Sequence, residues 1–326
     1  MVGEGGGAGQ RRRRRAVTDE AATGALVRRW RPDFPLDVAR TLLPLRRGPA
    51  DPAYRTTGDG AVWRASRTPA GIGTLRVAAR TADGAVEARA WGPGAPWLLE
   101  RLPTLLGAED DPAGLVLPPG PLREAQRAAA GVRLTRTGLV LESLVPAILE
   151  QKVTTDEAYR AWRILLRDFG TPAPGPAEGM RVAPAAREWA RVPSWEWHRA
   201  GVDPKRSATV LRAVRLAARL EEASAMDHAD AFARLTAVPG IGVWTAAETL
   251  QRSNGDPDAV SVGDYHLPDL VGWALAGRPR SDDARMLALL EPYRPHRYRL
   301  CRLLLTAGAR APRYGPRLAP NDHRGR

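Results

Sequence analysis

The stretch AVPGIGVWTAAETLQRSNGDPDAVSVGD (residues 237–264) holds the residue types best suited to chemistry. Gly240 and Gly242 flank a tight turn, and the spacing from Val243 to Leu250 predicts a helix starting there. The first amides of such a helix lack partners. With the helix dipole they form a site for an anion, such as one phosphate of a DNA backbone. Thr245, in the first turn, can add its hydroxyl. A loop of Gly, Pro, Asp and Ser then leads to a lone carboxylate, Asp264. Asp is also among the best helix N-caps, and Pro268 suits a first turn after it, so a structural role stands beside a chemical one. The two are compatible, because a helix N-terminus favours an ionised carboxylate. Asp256 and Asp258 fit turn positions in GDPD, and Asp269 fits the first turn of the next helix. A bare G-x-G is equally an ordinary connection between two helices.

Other reactive groups are scarce. The single cysteine, Cys301, excludes a disulfide framework and any four-cysteine zinc or iron–sulfur site. The only lysines are Lys152 and Lys205, and neither lies in the hairpin.

The elements that must position these residues divide the chain. Residues 61–69, 73–80 and 85–92 alternate as strands do, and TADG (81–84) reads as an Asp-Gly hairpin turn. Residues 96–107 have helical spacing, and the Pro/Gly/Asp-rich passage 108–121 reads as a boundary. Beyond it the pattern is helical throughout: 140–170, 203–223, 227–238, 265–277, 282–293 and 296–308, with TPAPGPAEG (171–179) as a loop. The fold class expected is α+β: an N-terminal antiparallel sheet domain (23–118), then an all-helical core (119–326). A basic arm (1–22), carrying Arg11–Arg15, precedes them and reads as disordered.

The chain has 326 residues, 44% of them hydrophobic, and a formal net charge of +13. That charge favours a polyanionic partner, nucleic acid before membrane surface. Its arginine skew reads as genome composition, and Arg212, Arg215 and Arg219 read as a solvated helix face. No apolar run reaches the ~18 residues of a membrane span, and the N-terminus lacks a secretory h-region. The expected location is cytoplasmic, at the nucleoid.

The segment 235–267, from Leu235 through the hairpin to Asp264 and Leu267, resembles the helix-hairpin-helix DNA glycosylases of base excision repair. Residues 90–107, 144–170 and 293–308 resemble, more loosely, other parts of the bacterial 3-methyladenine DNA glycosylase II branch. The resemblance implies that Asp264 stabilises the sugar cation and guides water while an N-glycosidic bond breaks. An alkylated purine already carries positive charge, so it leaves without the second carboxyl that O-glycoside hydrolysis needs. It implies DNA contacts from Gly240, Gly242, Val243 and Thr245. Lys152, in EQKVT, stands where the family commonly places a residue that wedges into the duplex. It implies a base pocket near Trp244, Tyr265, Gln151 and Glu248. Glu248 stands where the branch often has Tyr, and Leu305 where it has an electron-rich Trp. As a bland alternative, Glu248 pairs with Arg252 on an exposed face. Strand-nicking relatives carry a nucleophilic Lys where this chain has Trp244, so no lyase step is expected. No redox or organic cofactor is expected, but main-chain carbonyls of Thr236, Val238 and Ile241 are implied to hold Na+ or K+. The partner implied is double-stranded DNA with damaged bases, bound by a monomer. Two alternatives remain open: a glycosylase for a neutral base such as hypoxanthine or uracil, and an inactive DNA-binding protein that kept the hairpin.

Overall fold

The computed structural model describes residues 24–80 and 84–312. The Arg11–Arg15 arm and positions 81–83 of the TADG turn lie outside them. Strands β1 (Leu26–Trp30), β2 (Tyr54–Thr56), β3 (Val62–Thr68), β4 (Gly71–Arg80) and β5 (Ala85–Trp91) form one antiparallel sheet, ordered β1-β5-β4-β3-β2. The three strands read from alternation pair consecutively, with Val62 opposite Val77 and Val77 opposite Ala88. β1 has no alternation to betray it; it becomes a strand by pairing with β5, Val27 opposite Arg89.

The period of two gives the sheet two apolar faces. Val62, Leu75, Val77, Val86 and Ala88 pack on α1 (Val38–Leu42), α2 (Ala95–Glu100) and α3 (Leu102–Leu105). On the other face Trp63 and Trp91 stack at 5.4 Å beneath Ala177, Met180 and Val182. The single helix expected at 96–107 is therefore two. Pro103, which has no N–H to donate, opens the second.

The helices that follow are α4 (Pro121–Ala128), α5 (Val140–Leu149), α6 (Thr155–Phe169), α7 (Ala186–Trp189), α8 (Ser194–Arg199), α9 (Pro204–Arg215), α10 (Ala217–Glu221), α11 (His228–Thr236), α12 (Val243–Ser253), α13 (Leu267–Ala276), α14 (Asp283–Leu290) and α15 (Arg297–Thr306). None is long and apolar enough to cross a membrane. The core is not all-helical, because β6 (Thr171–Pro172) and β7 (Arg181–Val182) make a two-stranded ribbon within the stretch read as a loop. The helix expected over 140–170 is split at residues 150–154. There Thr154 caps α6 in a reciprocal box with Glu157, the T-x-x-E signature present in the sequence.

Two helical clusters form. One joins α5, α6 and α9–α12 around Leu144, Ile148, Leu165, Val210, Leu235 and Leu250. The other joins α13–α15 around Leu270, Val271, Met286, Leu300 and Leu304. Leu115 and Leu117, in the passage read as a boundary, are buried in the second cluster, and nearby Asp110 ion-pairs with Arg299 of α15. The loop from α12 to α13 crosses from one cluster to the other, which puts Asp264 at their junction.

Candidate active site

The hairpin between α11 and α12 uses its two glycines differently. Gly240 has φ +95°, and a Cβ there would overlap the Thr209 side chain of α9. Both the backbone and the close approach require glycine. Arg212 braces the turn, donating from Nε to the Pro239 carbonyl at 2.8 Å and from Nη2 to Thr209 Oγ1 at 2.9 Å. It is thus not the solvated arginine expected from its helix face. Gly242 is extended (φ −93°, ψ −178°), a conformation open to any residue. It caps α12 without a side chain, has nothing within 4 Å of a built Cβ, and is followed by exposed Val243. The N-terminus of α12 is bare, as an anion site needs.

Two expectations at the hairpin are corrected. Thr245 is 2% exposed, and its hydroxyl accepts from Gln151 Nε2 at 2.8 Å, so it is turned away from a phosphate. Gln151 also donates to the Gly240 carbonyl at 2.9 Å. Its amide therefore ties the α5–α6 turn to the hairpin rather than lining a base pocket, at about 1 kcal/mol net per hydrogen bond. Next to it Lys152 is exposed and has φ +54°, the one non-glycine with positive φ among the described residues.

The bare cap gives a testable separation of stability from binding. Gly242→Asp supplies a good N-cap and should keep or raise the melting temperature, since the two caps differ by only a few tenths of a kcal/mol. The same carboxylate occupies the amides and repels phosphate. Affinity for undamaged and damaged duplex should fall together, with a shallower salt dependence. Unchanged affinity in a salt titration would remove the hairpin from the interface.

Asp264 is half-buried and fully engaged. Its Oδ1 accepts from the amides of His266 and Leu267, both at 2.8 Å, and its Oδ2 from Trp244 Nε1 at 3.1 Å. The helix starts at Leu267, not at Tyr265 as expected, so Asp264 caps it from three residues upstream. Trp244, on the first turn of α12, reaches across the junction to the carboxylate. Tyr265 is 76% exposed, edge-to-face with His266 at 4.9 Å, and does not line an enclosed pocket.

Glu248 is neither on an exposed face nor free as a pocket counter-charge. One oxygen accepts from Arg252 at 2.7 Å and the other from the Ser261 hydroxyl at 2.5 Å; the Glu248 and Arg252 side chains are 14% and 13% exposed. Burial alone would raise the Glu248 pKa, but the Arg252 charge and these hydrogen bonds outweigh it and hold the carboxyl below its usual range. Gln251 donates to the Ala259 carbonyl and to Ser261, both at 2.8 Å. Glu248 and Gln251 thus sew the loop that carries Asp264 onto α12, a role no local pattern showed. Glu248→Gln should lower stability by about 3 kcal/mol, as expected for breaking a buried pair. Because the folded pKa lies below the unfolded value, the pair's contribution is present above about pH 4.3 and is lost as pH falls through the folded value. Urea melts should show the wild-type advantage shrinking between about pH 7 and about pH 3; a constant difference would contradict the assignment.

The other carboxylates are structural. Asp256 is bonded to His228 Nδ1 and to the Asp258 amide. Asp258 holds Arg297 (Nε 2.9 Å), and Asp269 accepts from the Ser281 amide. Cys301 is buried, and burial pushes its thiol up to about 12, so it is no nucleophile at neutral pH. A small cavity of about 30 Å³ lies away from Asp264, between the sheet and the first helical cluster, lined by Arg47, Asp51, Arg64, Glu142, Trp162 and Arg252. It has room for a water and not for a base.

No family model matches this sequence, and no curated protein matches it. Solved structures do match. The 3-methyladenine DNA glycosylase from Archaeoglobus fulgidus is similar at TM-score 0.73 and 14% identity, over 86% of this chain and 98% of that one. MBOgg1 in complex with a low-affinity DNA ligand is similar at 0.68 and 14%, over 87% and 95%. The 8-oxoguanine glycosylase/lyase of Clostridium acetobutylicum in its apo form is similar at 0.67 and 10%, over 87% and 96%. At such identities the likeness is one of fold, and it spans nearly the whole of each neighbour. The chain has the fold of the helix-hairpin-helix DNA glycosylases.

Proposed function

We propose that this protein is a monofunctional DNA glycosylase of base excision repair, which flips a damaged base from duplex DNA and hydrolyses its N-glycosidic bond. One observation carries the reading. A carboxylate, held by two helix amides and an indole N–H at the junction of two helical clusters, stands across from a bare helix N-terminus. The amides of α12 would take a backbone phosphate and fix the strand. Asp264 would then face the sugar, where positive charge develops as the base departs. Trp244 supplies an indole, not an amine, so no Schiff base forms there.

Lys152, exposed beside the Gln151 tether, would fill the vacated position, its stem against bases and its ammonium near phosphate. The carbonyls of Thr236, Val238 and Ile241 would hold a monovalent cation. Val238 O accepts one hydrogen bond, from the Ile241 amide, and a carbonyl keeps a second lone pair. Such an ion would stiffen the turn. The protein would work as a monomer on nucleoid DNA.

Two substrate classes suit the fold: cationic alkylated bases of the 3-methyladenine type, and neutral ones such as hypoxanthine or uracil. The sequence resemblance points to the first. The burial of Glu248 in an ion pair favours the second, because the carboxylate that would answer a cationic base is occupied. Duplexes carrying single lesions, analysed with and without alkali, test the function. Free base should appear while the strand stays intact until alkali is added. Release from none of them would sink the reading.

A further inference from the structure

The segment between α1 and β2 touches the scaffold of the candidate site at two places. The Pro44 carbonyl accepts from Arg252 Nε at 2.9 Å, on the helix whose Glu248 holds the loop to Asp264. Three residues on, Arg47 donates from Nη1 to Glu150 Oε1 at 2.7 Å. The two side chains are 5% and 16% exposed. Arg47 is itself fixed. Its amide donates to Asp51 Oδ2 at 2.7 Å, while Asp51 Oδ1 accepts from Trp162 Nε1 of α6 at 2.9 Å. Glu150 ends α5 and begins the turn into α6. Its neighbour Gln151 is anchored to the hairpin, at the Gly240 carbonyl and the Thr245 hydroxyl. Lys152 comes next, exposed, with φ +54°. A residue bearing a Cβ keeps that left-handed backbone only where its surroundings over-determine it. Here the two residues before it are gripped separately, one by the N-terminal domain and one by the hairpin.

We propose that Arg47 is a positioning residue for base extrusion: through Glu150 it fixes the α5–α6 turn against the hairpin, so that Lys152 meets the duplex in one conformation. This rests on the glycosylase reading and on the role given to Lys152 above. A buried ion pair adds little net stability over apolar side chains of the same shape, because desolvation offsets its attraction. What Arg47 and Glu150 contribute is register, setting which part of the turn faces the hairpin. That matters for a lysine, whose long stem is otherwise free to adopt many positions. A turn held before DNA arrives has already met the ordering cost that insertion would otherwise carry. The N-terminal domain thereby acts on extrusion without touching DNA. It does so through a side chain on the far side of the turn from the base stack.

The test uses the full chain on duplexes with a single hypoxanthine, uracil or 7-methylguanine, and 2-aminopurine beside the lesion to report unstacking. Single-turnover base release and the fluorescence rise are read together. The double variant Arg47→Met/Glu150→Gln leaves no lone buried charge at the pair. Arg47 lines the small cavity described above, so water can take the place of the lost guanidinium. This variant should slow release about tenfold or more, as a displaced group far from the chemistry does, and shrink the fluorescence rise. Lys152→Ala should act alike. Affinity of the double variant for undamaged duplex should stay within about twofold, since the phosphate contacts are untouched. When the base opposite the lesion is removed, extrusion costs less, and the loss should shrink to about threefold or less. On a Lys152→Ala background the double variant should cost nothing further, because it acts through that lysine. Arg47→Lys, which keeps the charge, should recover part of the rate. If melting curves show the double variant unfolded, Glu150→Gln alone, which keeps shape and an acceptor oxygen, carries the same comparisons with a smaller loss. Wild-type release by the folded variants overturns the proposal. So does a loss of equal size with and without an opposing base, or one that multiplies with that of Lys152→Ala, since either assigns the pair to packing. Wild-type release by Lys152→Ala also overturns it and leaves the glycosylase reading intact. Release of no base from any duplex by the wild type overturns the glycosylase reading itself, and this proposal with it.

Discussion

Asp264→Asn should reduce base release on the order of 10³-fold while leaving duplex affinity near that of the wild type. The carboxylate provides the charge that meets the forming sugar cation, and the amide provides none. Shape is nearly kept. Asn can still accept from the His266 and Leu267 amides through its oxygen, but its NH2 would then face Trp244 Nε1, donor against donor. That mismatch should lower stability by about 1–2 kcal/mol, the penalty for an unsatisfied donor. A melting curve therefore has to accompany the kinetics. Base release at the wild-type rate by a folded Asp264→Asn protein would remove Asp264 from the chemistry.

The second large effect is all-or-none. After base release the strand should remain intact with an abasic site, and borohydride should trap no covalent complex. The position facing Asp264 holds an indole. The described alternatives are poor: Lys205 is exposed on the first turn of α9, across the hairpin, and Lys152 lies in the α5–α6 turn. Cys301 is buried as a thiol. Because an α-amine can trap weakly, the experiment belongs on protein lacking the first 15 residues with its new terminus blocked. Efficient trapping that disappears on changing Lys152 or Lys205 would show a recruited amine, and the monofunctional reading would be wrong.

Some of this site was legible along the chain because its causes are local. The turn around Gly240, the helix from Val243 and the bare cap at Gly242 depend on residues within a few positions of one another. The split of α5 from α6 also has a local cause, in T-x-x-E, but the helical spacing of 140–170 masked it. The two-lysine, one-cysteine inventory bounds the covalent chemistry in any fold. The three strands from Val62 to Trp91 were visible because consecutive hairpins keep their partners close in sequence.

What the chain concealed depends on partners far away. β1 exists only through its ladder to β5, since backbone hydrogen bonds do not depend on side-chain pattern. Gln151 and Thr245 carry polar groups that sequence reasoning offers to a ligand, and only their apposition across 94 positions shows that they satisfy each other. Glu248 and Arg252 were correctly paired by their spacing, but spacing cannot say whether a helix face meets solvent or protein. Here it meets the segment near Pro44 and the Ser261 hydroxyl, so the pair is buried and the Glu is removed from any pocket.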